Sequence, residues 1–357
     1  MAVDRRIQDL FGIELPLIQA PMAGAQGAEM VIAVSEAGGL GSLPGALLTV
    51  EQMRRELGII RQRTAKPINV NFFCHTPPVP DAAREAGWKQ RLETYYREFG
   101  LDPAMPTPAG IRAPFDDAFC TVMEEFKPEV VSFHFGLPAR PLLDRVRATG
   151  ASIVSSATSA DEARWLEDHG CDAIIAQGYE AGGHRGIFLT DAIANQAGLM
   201  ALLPQVVDAV SLPVIAAGGI ADGRGIAAAF ALGASAAQVG TAYLFCPEAT
   251  ITPMHRQALA NAKDDHTALT NLFTGRPARG IVNRLMREVG PLSTAAPAFP
   301  TAGGALAPLK AKAEAAGSGD FSSLWSGQAA ALGRPMPAAE LTRRLMAETA
   351  ERIGQLR

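Results

Sequence analysis

Cysteine is scarce in this chain: only four of its 357 residues are cysteines. They are Cys74, Cys120, Cys171 and Cys246, which lie far apart and form no C-x-x-C pair. This spacing disfavours a disulfide framework and a zinc site, and it is typical of the reduced thiols of a cytoplasmic protein. Cys74 is followed by His75, but no second pair of ligands stands at a suitable spacing, so we expect no bound metal.

Strong net charge and long apolar runs are also missing. Lys and Arg number 32 against 36 Asp and Glu, which gives a formal net charge of −4. This balance argues against nucleic acid or an anionic membrane as the main partner. No apolar run approaches the roughly 18 residues that a membrane helix needs. The charged start at residues 1–6 is not followed by an apolar segment, so we expect no secretory signal.

What the chain does contain is a regular alternation of apolar runs and amphipathic segments. The apolar runs predict eight strands, at 16–20, 39–43, 68–72, 130–133, 152–155, 173–177, 213–217 and 236–240. Segments with apolar residues every three or four positions predict helices, at 28–37, 50–63, 142–149, 159–169, 199–210, 225–232 and 252–262. Eight strands within about 250 residues favour an α/β fold of the (β/α)8 TIM-barrel type over an open doubly wound sheet, which alternates similarly.

One segment, residues 75–128, is too long for the repeat and separates the third and fourth predicted strands. It contains an aromatic cluster and then a proline-rich stretch at 103–114; the cluster is Trp88, Tyr95, Tyr96 and Phe99. Such an insertion is either a lid over the barrel mouth or a surface excursion that packs on its own aromatic residues.

The other excess lies after about residue 270. It includes a helix-like stretch at 281–288 and an amphipathic stretch at 337–353, which predicts a helix. We therefore expect a barrel over residues 1–270 and a C-terminal helical extension over residues 271–357 that packs on it.

The most informative segment runs from 176 to 186, directly after the sixth predicted strand. Gly182, Gly183 and Gly186 flank His184 there. Glycine permits unusual φ angles and close approach of the backbone to a flat ligand. Histidine titrates near neutral pH and serves as an acid or base. The setting predicts a catalytic role for His184; for His134, after the fourth strand, the same prediction has less support.

Two glycine loops follow the last two predicted strands. Gly218 and Gly219 stand in one, and Gly240 with Thr241 in the other. In a TIM barrel these loops commonly bind phosphate through backbone N–H groups. Tight packing of strand against helix also favours glycine, but the presence of both loops indicates phosphate. No lysine or arginine stands among these glycines, which favours the monophosphate of a larger cofactor.

Two amide side chains stand at the ends of predicted strands, Asn71 after the third and Gln177 after the sixth. An amide offers a donor and an acceptor together, which suits the edge of a heterocycle. The alternative is that these amides satisfy neighbouring protein groups.

Several motifs together resemble the nitronate monooxygenase family, and its class I branch most. They are Gln-Ala-Pro-Met-Ala-Gly at 19–24, Asn-Val-Asn-Phe-Phe at 69–73, Ser-Phe-His-Phe-Gly at 132–136, Ala-Gln-Gly-Tyr-Glu-Ala-Gly-Gly-His at 176–184, Ala-Ala-Gly-Gly-Ile at 216–220, Gln-Val-Gly-Thr at 238–241 and Leu-Trp-Ser-Gly-Gln at 324–328. The resemblance covers roughly residues 7–350.

The resemblance implies an FMN-dependent barrel that oxidises alkyl nitronates, propionate 3-nitronate or a similar compound, with O2 to a carbonyl compound and nitrite. It implies one-electron transfer through a flavin semiquinone, and it matches His184 to the family's active-site histidine; His134 is the second catalytic candidate. The residues expected to bind FMN lie at strand ends: Ala20, Pro21, Met22, Asn71, Gln177, Gly182, Gly218, Gly219, Gln238, Val239, Gly240 and Thr241.

FMN-dependent enoyl-acyl-carrier-protein reductases share Glu-Ala-Gly-Gly-His and both glycine loops. Such a reductase, or an NAD(P)H:quinone reductase of the same superfamily, is therefore the alternative. His134 and the aromatic insertion favour the nitronate enzyme, and no G-x-G-x-x-G dinucleotide fingerprint follows a strand. Class I members often carry tyrosine where this chain has Phe299 and Pro300, so the resemblance does not determine the substrate contacts there. The sequence does not determine the oligomeric state either.

Overall fold

Eight parallel strands form a closed ring in the computed structural model, which describes residues 4–108 and 112–356. Numbered along the chain, the strands are β1 (Leu17–Gln19), β2 (Gly41–Pro44), β3 (Ile68–Phe73), β4 (Val130–His134), β5 (Ser152–Ala157), β6 (Ala173–Gln177), β7 (Gly183–His184), β8 (Val214–Ala217), β9 (Ala236–Val239), β10 (Thr267–Thr270) and β11 (Ala278–Ile281). Eight of these strands form the ring, in the order β1-β9-β8-β6-β5-β4-β3-β2, and a bridge between Ile18 and Leu40 closes it. The other three, β7, β10 and β11, form a separate sheet. The predicted TIM barrel is confirmed, and each predicted strand overlaps an observed one.

Helices surround the ring and continue into the C-terminal extension. They are α1 (Arg6–Phe11), α2 (Ala28–Glu36), α3 (Val50–Arg63), α4 (Ala82–Glu98), α5 (Asp117–Phe126), α6 (Arg140–Ala148), α7 (Ala160–Asp168), α8 (Leu199–Ala209), α9 (Gly223–Ala231), α10 (Pro253–Ala260), α11 (Arg284–Val289), α12 (Ala302–Ala315) and α13 (Ala338–Gln355), with 3-10 turns at Ile193–Asn195, Thr241–Phe245 and Ala330–Leu332. Local chemistry sets their starts. Thr49 and Gln52 form a capping box on α3, and the Asp222 carboxylate accepts from the Arg224 and Gly225 amides at the start of α9.

The amino end of the barrel is closed by its own N-terminal helix. Ile7 and Phe11 of α1 pack under the ring against inward-facing residues such as Ile18 and Ile215. The opposite side of each strand packs on the helices in the main core. Because apolar side chains fill both the lower barrel and its outer layer, the carboxyl ends of the strands are the place for a ligand.

The segment 75–128 is not one insertion, contrary to the expectation from sequence. Its second helix, α5, packs against α3 and α6, so it is the crossover helix that joins β3 to β4. Only the chain before α5, which contains α4, is additional to the barrel. The sequence pattern did not separate the two helices because proline-rich residues lie between them.

The aromatic residues of α4 are buried away from the barrel mouth. Trp88, Tyr95 and Tyr96 share a second hydrophobic core with the C-terminal extension. The Trp88 indole donates to the Ala302 carbonyl at 3.1 Å, and the Tyr96 hydroxyl donates to the Ala305 carbonyl at 2.6 Å. These side chains neither cover the cavity nor pack only on one another, because α12 supplies the surface against which they pack.

A small antiparallel sheet that the sequence did not predict includes β11 of the C-terminal extension. Its strands are ordered β10-β11-β7, so it incorporates the loop that carries His184. The stretch 281–288, expected as a helix, is divided between the end of β11 and α11. The expected helix at 337–353 is α13, which packs against α9 and α2 and buries Leu341 and Leu345 in the main core.

Three further observations concern the described residues. All four cysteines are free thiols. No helix in the described ranges is both long enough and apolar enough to cross a membrane. Within residues 4–108 and 112–356 there is no group of three or more His, Cys, Asp or Glu side chains placed to hold a metal ion.

Candidate active site

A cavity of about 350 Å³ opens at the carboxyl ends of the barrel strands. It brings together the predicted site residues Ala20, Pro21, Met22, Asn71, His134, Gln177, Gly182, His184, Gly218, Gly219, Gln238, Gly240 and Thr241. Val239 is the exception: its side chain is fully buried in the core between strands and helices. Side chains alternate along a strand, so Gln238 faces the cavity and Val239 faces the opposite way.

The cavity is also lined by side chains that were not singled out from the sequence. They are Phe73, Ser156, Arg112, His255, Lys310, Glu314 and Trp325. Phe73 and Trp325 belong to motifs that carried the family resemblance, so a signal for them existed. Arg112 and Lys310 stand in stretches without any distinctive pattern, and only the fold brings them to the cavity.

His184 is held on the two-residue strand β7. Its backbone pairs with Ala278 of β11, which fixes the direction of the side chain. The preceding Gly183 has φ +69°, a left-handed conformation that glycine adopts without strain. The His184 ring contacts Thr274, whose Oγ1 lies 2.9 Å from Nε2. Four aromatic rings surround it, with centroids at 5.4 to 6.0 Å: Phe73, Phe135, Phe299 and Trp325.

The backbone carbonyl of His184 is held by two further predicted site residues. Gln177 donates to this oxygen from Nε2 at 3.0 Å, and the Gln177 Oε1 accepts from the Gly186 amide at 2.8 Å. His134 donates to the same carbonyl from its Nε2 at 3.1 Å, while its Nδ1 lies 3.1 Å from the Ser156 hydroxyl. The observed hydrogen bonds of Gln177 therefore hold the His184 loop in place. This is the alternative given in the sequence analysis, in which the amides satisfy neighbouring protein groups.

The surroundings of His184 keep its imidazole neutral at pH 7. Burial lowers its pKa well below the usual value, and the positive charge of Arg112 adds to this effect, followed by His134 and Arg276. The pKa of His134 is lowered to about 4, mainly by burial. A neutral histidine in an apolar setting is suited to accept a proton or to hydrogen-bond an anion.

Arg185, which follows His184 in sequence, does not face the cavity. Its guanidinium donates to the carbonyls of Gly178 and Gln177 and to the Gln196 side chain, so it holds the loop from behind. Arg276 lies over the Phe135 ring at 4.0 Å. The arginines that lower the pKa of His184 are therefore Arg112 and Arg276, and not its sequence neighbour Arg185.

The loops after β8 and β9 place backbone N–H groups in the cavity wall. Gly218 and Gly219 adopt φ +107° and +68°, which only glycine adopts readily. Their amides donate to no backbone acceptor among the described residues. Gly240 precedes the short 3-10 helix that starts at Thr241, whose first N–H groups are unpaired by the nature of a helix end. These donors from two loops line the same cavity.

The C-terminal extension closes this side of the cavity. The Gly327 amide donates to the Thr241 hydroxyl at 2.9 Å, which leaves the hydroxyl hydrogen for another acceptor. A Cβ on Gly182 would lie 2.5 Å from the Gly327 nitrogen, so only glycine fits between the two segments. Gly182 is therefore required for chain packing, and its place in the cavity wall follows from that.

Asn71 at the end of β3 has one half of its amide available. Its Nδ2 donates to the hydroxyl of Ser132 at 2.9 Å and to the carbonyl of the same residue at 3.2 Å. No described residue donates to its Oδ1, and Asn71 lines the cavity. The oxygen is thus an acceptor open to a ligand.

The fold and the site together define a class: a (β/α)8-barrel enzyme whose cavity, at the carboxyl ends of its strands, is lined by a neutral histidine and by two glycine loops. The family can be stated as well. A family model described as nitronate monooxygenase matches residues 4–348, and the chain belongs to that family.

Similar proteins extend over nearly the whole chain. The nitronate monooxygenase of Pseudomonas aeruginosa is 42% identical over 346 residues, which are 96% of this chain and 98% of that protein. The nitronate monooxygenase of Paraburkholderia phytofirmans is 42% identical over 356 residues, which are 99% and 97% of the two chains. The chain is thus an enzyme of this kind, as the motifs predicted.

Solved structures agree. The nitroalkane oxidase from Streptomyces ansochromogenes is similar with a TM-score of 0.89 and 39% identity, covering 99% of this chain and 100% of that chain. FabK from Thermotoga maritima is similar with a TM-score of 0.72 and 28% identity, covering 98% and 97%. The alternative considered from the sequence therefore shares the fold, with the lower similarity of the two.

Proposed function

We propose that this enzyme binds FMN in the barrel cavity and oxidises alkyl nitronates with O2 to a carbonyl compound and nitrite. The observation that carries the proposal is the union of two features in one cavity: a neutral, desolvated His184 and two glycine loops with available amides. Membership of the nitronate monooxygenase family supports the nitronate as substrate. The similarity to a nitroalkane oxidase supports a nitro compound in the same place.

The residues present fit FMN. Its phosphate would be held by the amides of Gly218 and Gly219, by the start of the 3-10 helix at Thr241, and by the Thr241 hydroxyl. This is the way neutral donors bind a monophosphate. The Asn71 Oδ1 would accept from the polar edge of the ring system. Gln177 has one N–H left for that edge, since its other polar capacity holds the His184 loop.

Bound FMN would supply the electron acceptor; the protein supplies orientation and electrostatics. The Thr274 hydroxyl lies 3.3 Å from the Arg276 carbonyl oxygen, to which it can donate. A lone pair of the Thr274 hydroxyl oxygen then accepts from the Nε2–H of His184. The free lone pair of the His184 imidazole is therefore on Nδ1. That nitrogen would take the α-proton of a neutral nitroalkane; a substrate that arrives as the nitronate would be oriented by the same ring.

The aromatic rings around His184 exclude water from this side of the cavity. Phe73 and Phe299 are buried, and both face the His184 ring. In a dry pocket each hydrogen bond and charge acts with little solvent screening. This setting favours a small substrate whose charged group meets specific protein groups.

The direct test combines a spectrum with turnover. We expect the purified protein to be yellow, with the absorption bands of FMN at one per chain, to consume O2 with ethyl nitronate and to release nitrite. A colourless protein that cannot be loaded with FMN, or a flavoprotein that leaves nitronate unchanged, would contradict the proposal.

The similarity to FabK keeps a reductase as the second candidate, and anaerobic stopped-flow mixing separates the two. We expect ethyl nitronate to reduce the flavin quickly, and NADH or NADPH to reduce it slowly or not at all. No dinucleotide fingerprint follows a strand. Fast and complete reduction by NADH together with no response to nitronate would transfer the assignment to the reductases.

A further inference from the structure

Arg112 lies in the cavity wall beside the end of β3. It lines the cavity, and the chain that follows is tied to the strand by the Phe115 amide, which donates to the Phe73 carbonyl at 2.8 Å. The buried His75 ring follows β3 directly, and its pKa is lowered by burial and by the nearby charges of Arg276 and Arg112. The Phe115 contact thus holds the chain around Arg112 at the β3 end.

No carboxylate neutralises Arg112. All Asp and Glu residues of the chain, from Asp4 to Glu351, belong to the described residues, and none is within ion-pair distance of this guanidinium. The one acid in the cavity wall, Glu314, accepts from Ser322 at 2.7 Å and lies 3.8 Å from Lys310. A largely buried charge without a counter-ion is costly to a fold unless a ligand supplies one.

The location of Arg112 separates it from the phosphate loops. In the ring of eight strands, β3 stands four places from β8, so the two are diametrically opposite. The residues that sense the Arg112 charge are His184 and His75, whose pKa values it lowers. The Phe73 ring at the end of β3 lies 5.8 Å from the His184 ring, measured between centroids. The β3 end, beside which Arg112 lies, is therefore close to the His184 ring and opposite the strand that precedes Gly218 and Gly219.

We propose that Arg112 is the binding residue for the negative charge of the substrate, with its guanidinium paired to the two oxygens of the nitronate group. The inference rests on the proposed function and adds the residue that selects the anion. A guanidinium presents parallel N–H groups in a plane, which match two oxygens on one atom, as in carboxylate recognition. His184 stays neutral beside this charge, so the anion meets one cation and one hydrogen-bonding ring.

The test compares three variants with the parent enzyme as purified with its flavin. Arg112→Met keeps the length of the side chain without its charge, and Arg112→Lys keeps the charge without the planar fork. Arg140→Met is the matched control, since Arg140 is exposed on α6 and pairs with Asp144. With ethyl nitronate we expect KM to rise about 10- to 100-fold in Arg112→Met, less in Arg112→Lys and not in Arg140→Met, with unchanged flavin content.

A binding measurement removes the dependence on turnover. Nitrate is a planar nitrogen oxyanion that the enzyme does not oxidise, so it is a probe of the same group. We expect nitrate to inhibit the parent enzyme competitively against nitronate, and calorimetry to show binding that is lost in Arg112→Met and kept in Arg140→Met. For neutral nitroethane, KM is expected to change less than for the nitronate.

The outcomes separate the two proposals. If the parent enzyme oxidises nitronate and Arg112→Met has the same KM and nitrate affinity, the function stands and the role of Arg112 is overturned. If the parent enzyme does not act on nitronate, the proposed function fails, and the loss or retention of nitrate binding still decides whether Arg112 binds anions. Should Arg112→Met fold poorly, equal nitronate KM values in Arg112→Lys and the parent would count against the planar pairing.

Discussion

The Nε2 of His134 donates to the backbone carbonyl oxygen of His184 across 3.1 Å. A carbonyl cannot donate, so the proton of the His134 ring is on Nε2, and Nδ1 accepts from the Ser156 hydroxyl at 3.1 Å. Both nitrogens of a neutral ring are thereby occupied. This arrangement suits a residue that positions His184 better than one that exchanges protons with a substrate.

Replacement of His184 tests the central assignment. His184→Asn should retain FMN and lose about 10²- to 10⁴-fold in kcat/KM for neutral nitroethane, since a positioned acid–base group contributes on this scale. Steady-state O2 consumption and the flavin spectrum measure the two properties. A variant as active as the parent would make His184 structural.

The same residue predicts an unusual pH profile. Because the pKa of His184 is lowered well below 6.5 by burial and by Arg112, the free base persists as the pH falls through that value. We expect kcat/KM for nitroethane to show no inflection near pH 6.5 that depends on His184, and to decrease only at lower pH. An inflection near pH 6.5 that disappears in His184→Asn would show that the imidazole is exposed to water in the working enzyme.

Variants of His134 distinguish positioning from proton transfer. His134→Ala removes one neutral hydrogen bond to the His184 loop, so we expect a loss of about 10-fold or less, felt mainly in KM. His134→Gln retains a donor, and part of the loss should be recovered. If both variants lose as much kcat as His184→Asn, His134 takes part in the chemistry itself.

The surroundings of Gly240 predict which substitutions at this position abolish flavin binding. A Cβ on Gly240 would lie 3.4 Å from the Ala20 Cβ, an ordinary contact, so Gly240→Ala should keep its flavin. Gly240→Leu places further atoms in the phosphate site, and we expect the protein to be folded by circular dichroism but colourless. Gly58→Leu is the matched control, because nothing lies within 4 Å of a Cβ there. If Gly240→Leu retained its flavin, the phosphate would have to bind at another place in the protein.

Buried histidines make stability depend on pH. The pKa values of His75 and His134 are each lowered to about 4, first by burial. Between pH 6.5 and 4 the unfolded chain therefore binds more protons than the folded one, and the free energy of unfolding falls as the pH falls, by up to about 1.4 kcal/mol per pH unit for each histidine. Urea unfolding from pH 7.5 to 4.5 measures this slope. His75→Gln should make it shallower; an unchanged slope would mean that the His75 ring is hydrated.

The barrel could be predicted because its strands are buried on both faces and read as continuous apolar runs between periodic helices. The glycine loop after β8 could be predicted for a similar reason: Gly218 and Gly219 adopt positive φ angles, which favour glycine and so leave a mark in the sequence. The pairing of β7 with β11 left none. Two residues form β7, and their partners follow about a hundred residues later, so no local pattern records the contact.

The same limit applies to side chains that reach the site through tertiary packing. Thr274 contacts His184 only because β11 places the chain before it against the loop, and Arg112 reaches the cavity from a proline-rich stretch. The burial of Trp88 could not be assigned from sequence either, since its partner surface on α12 is more than two hundred residues away. Local periodicity identifies an apolar face but not the element that covers it.

The hydrogen bond between Gly327 and Thr241 has a consequence for folding during translation. During translation all eight barrel strands leave the ribosome long before residues 322–327, which form part of the cavity wall. A nascent chain can therefore close its ring of strands while the pocket above it still lacks one side. A ligand therefore meets a complete site only after residue 327 has emerged, and a chain arrested at residue 300 would have the strands of a barrel without a complete ligand site.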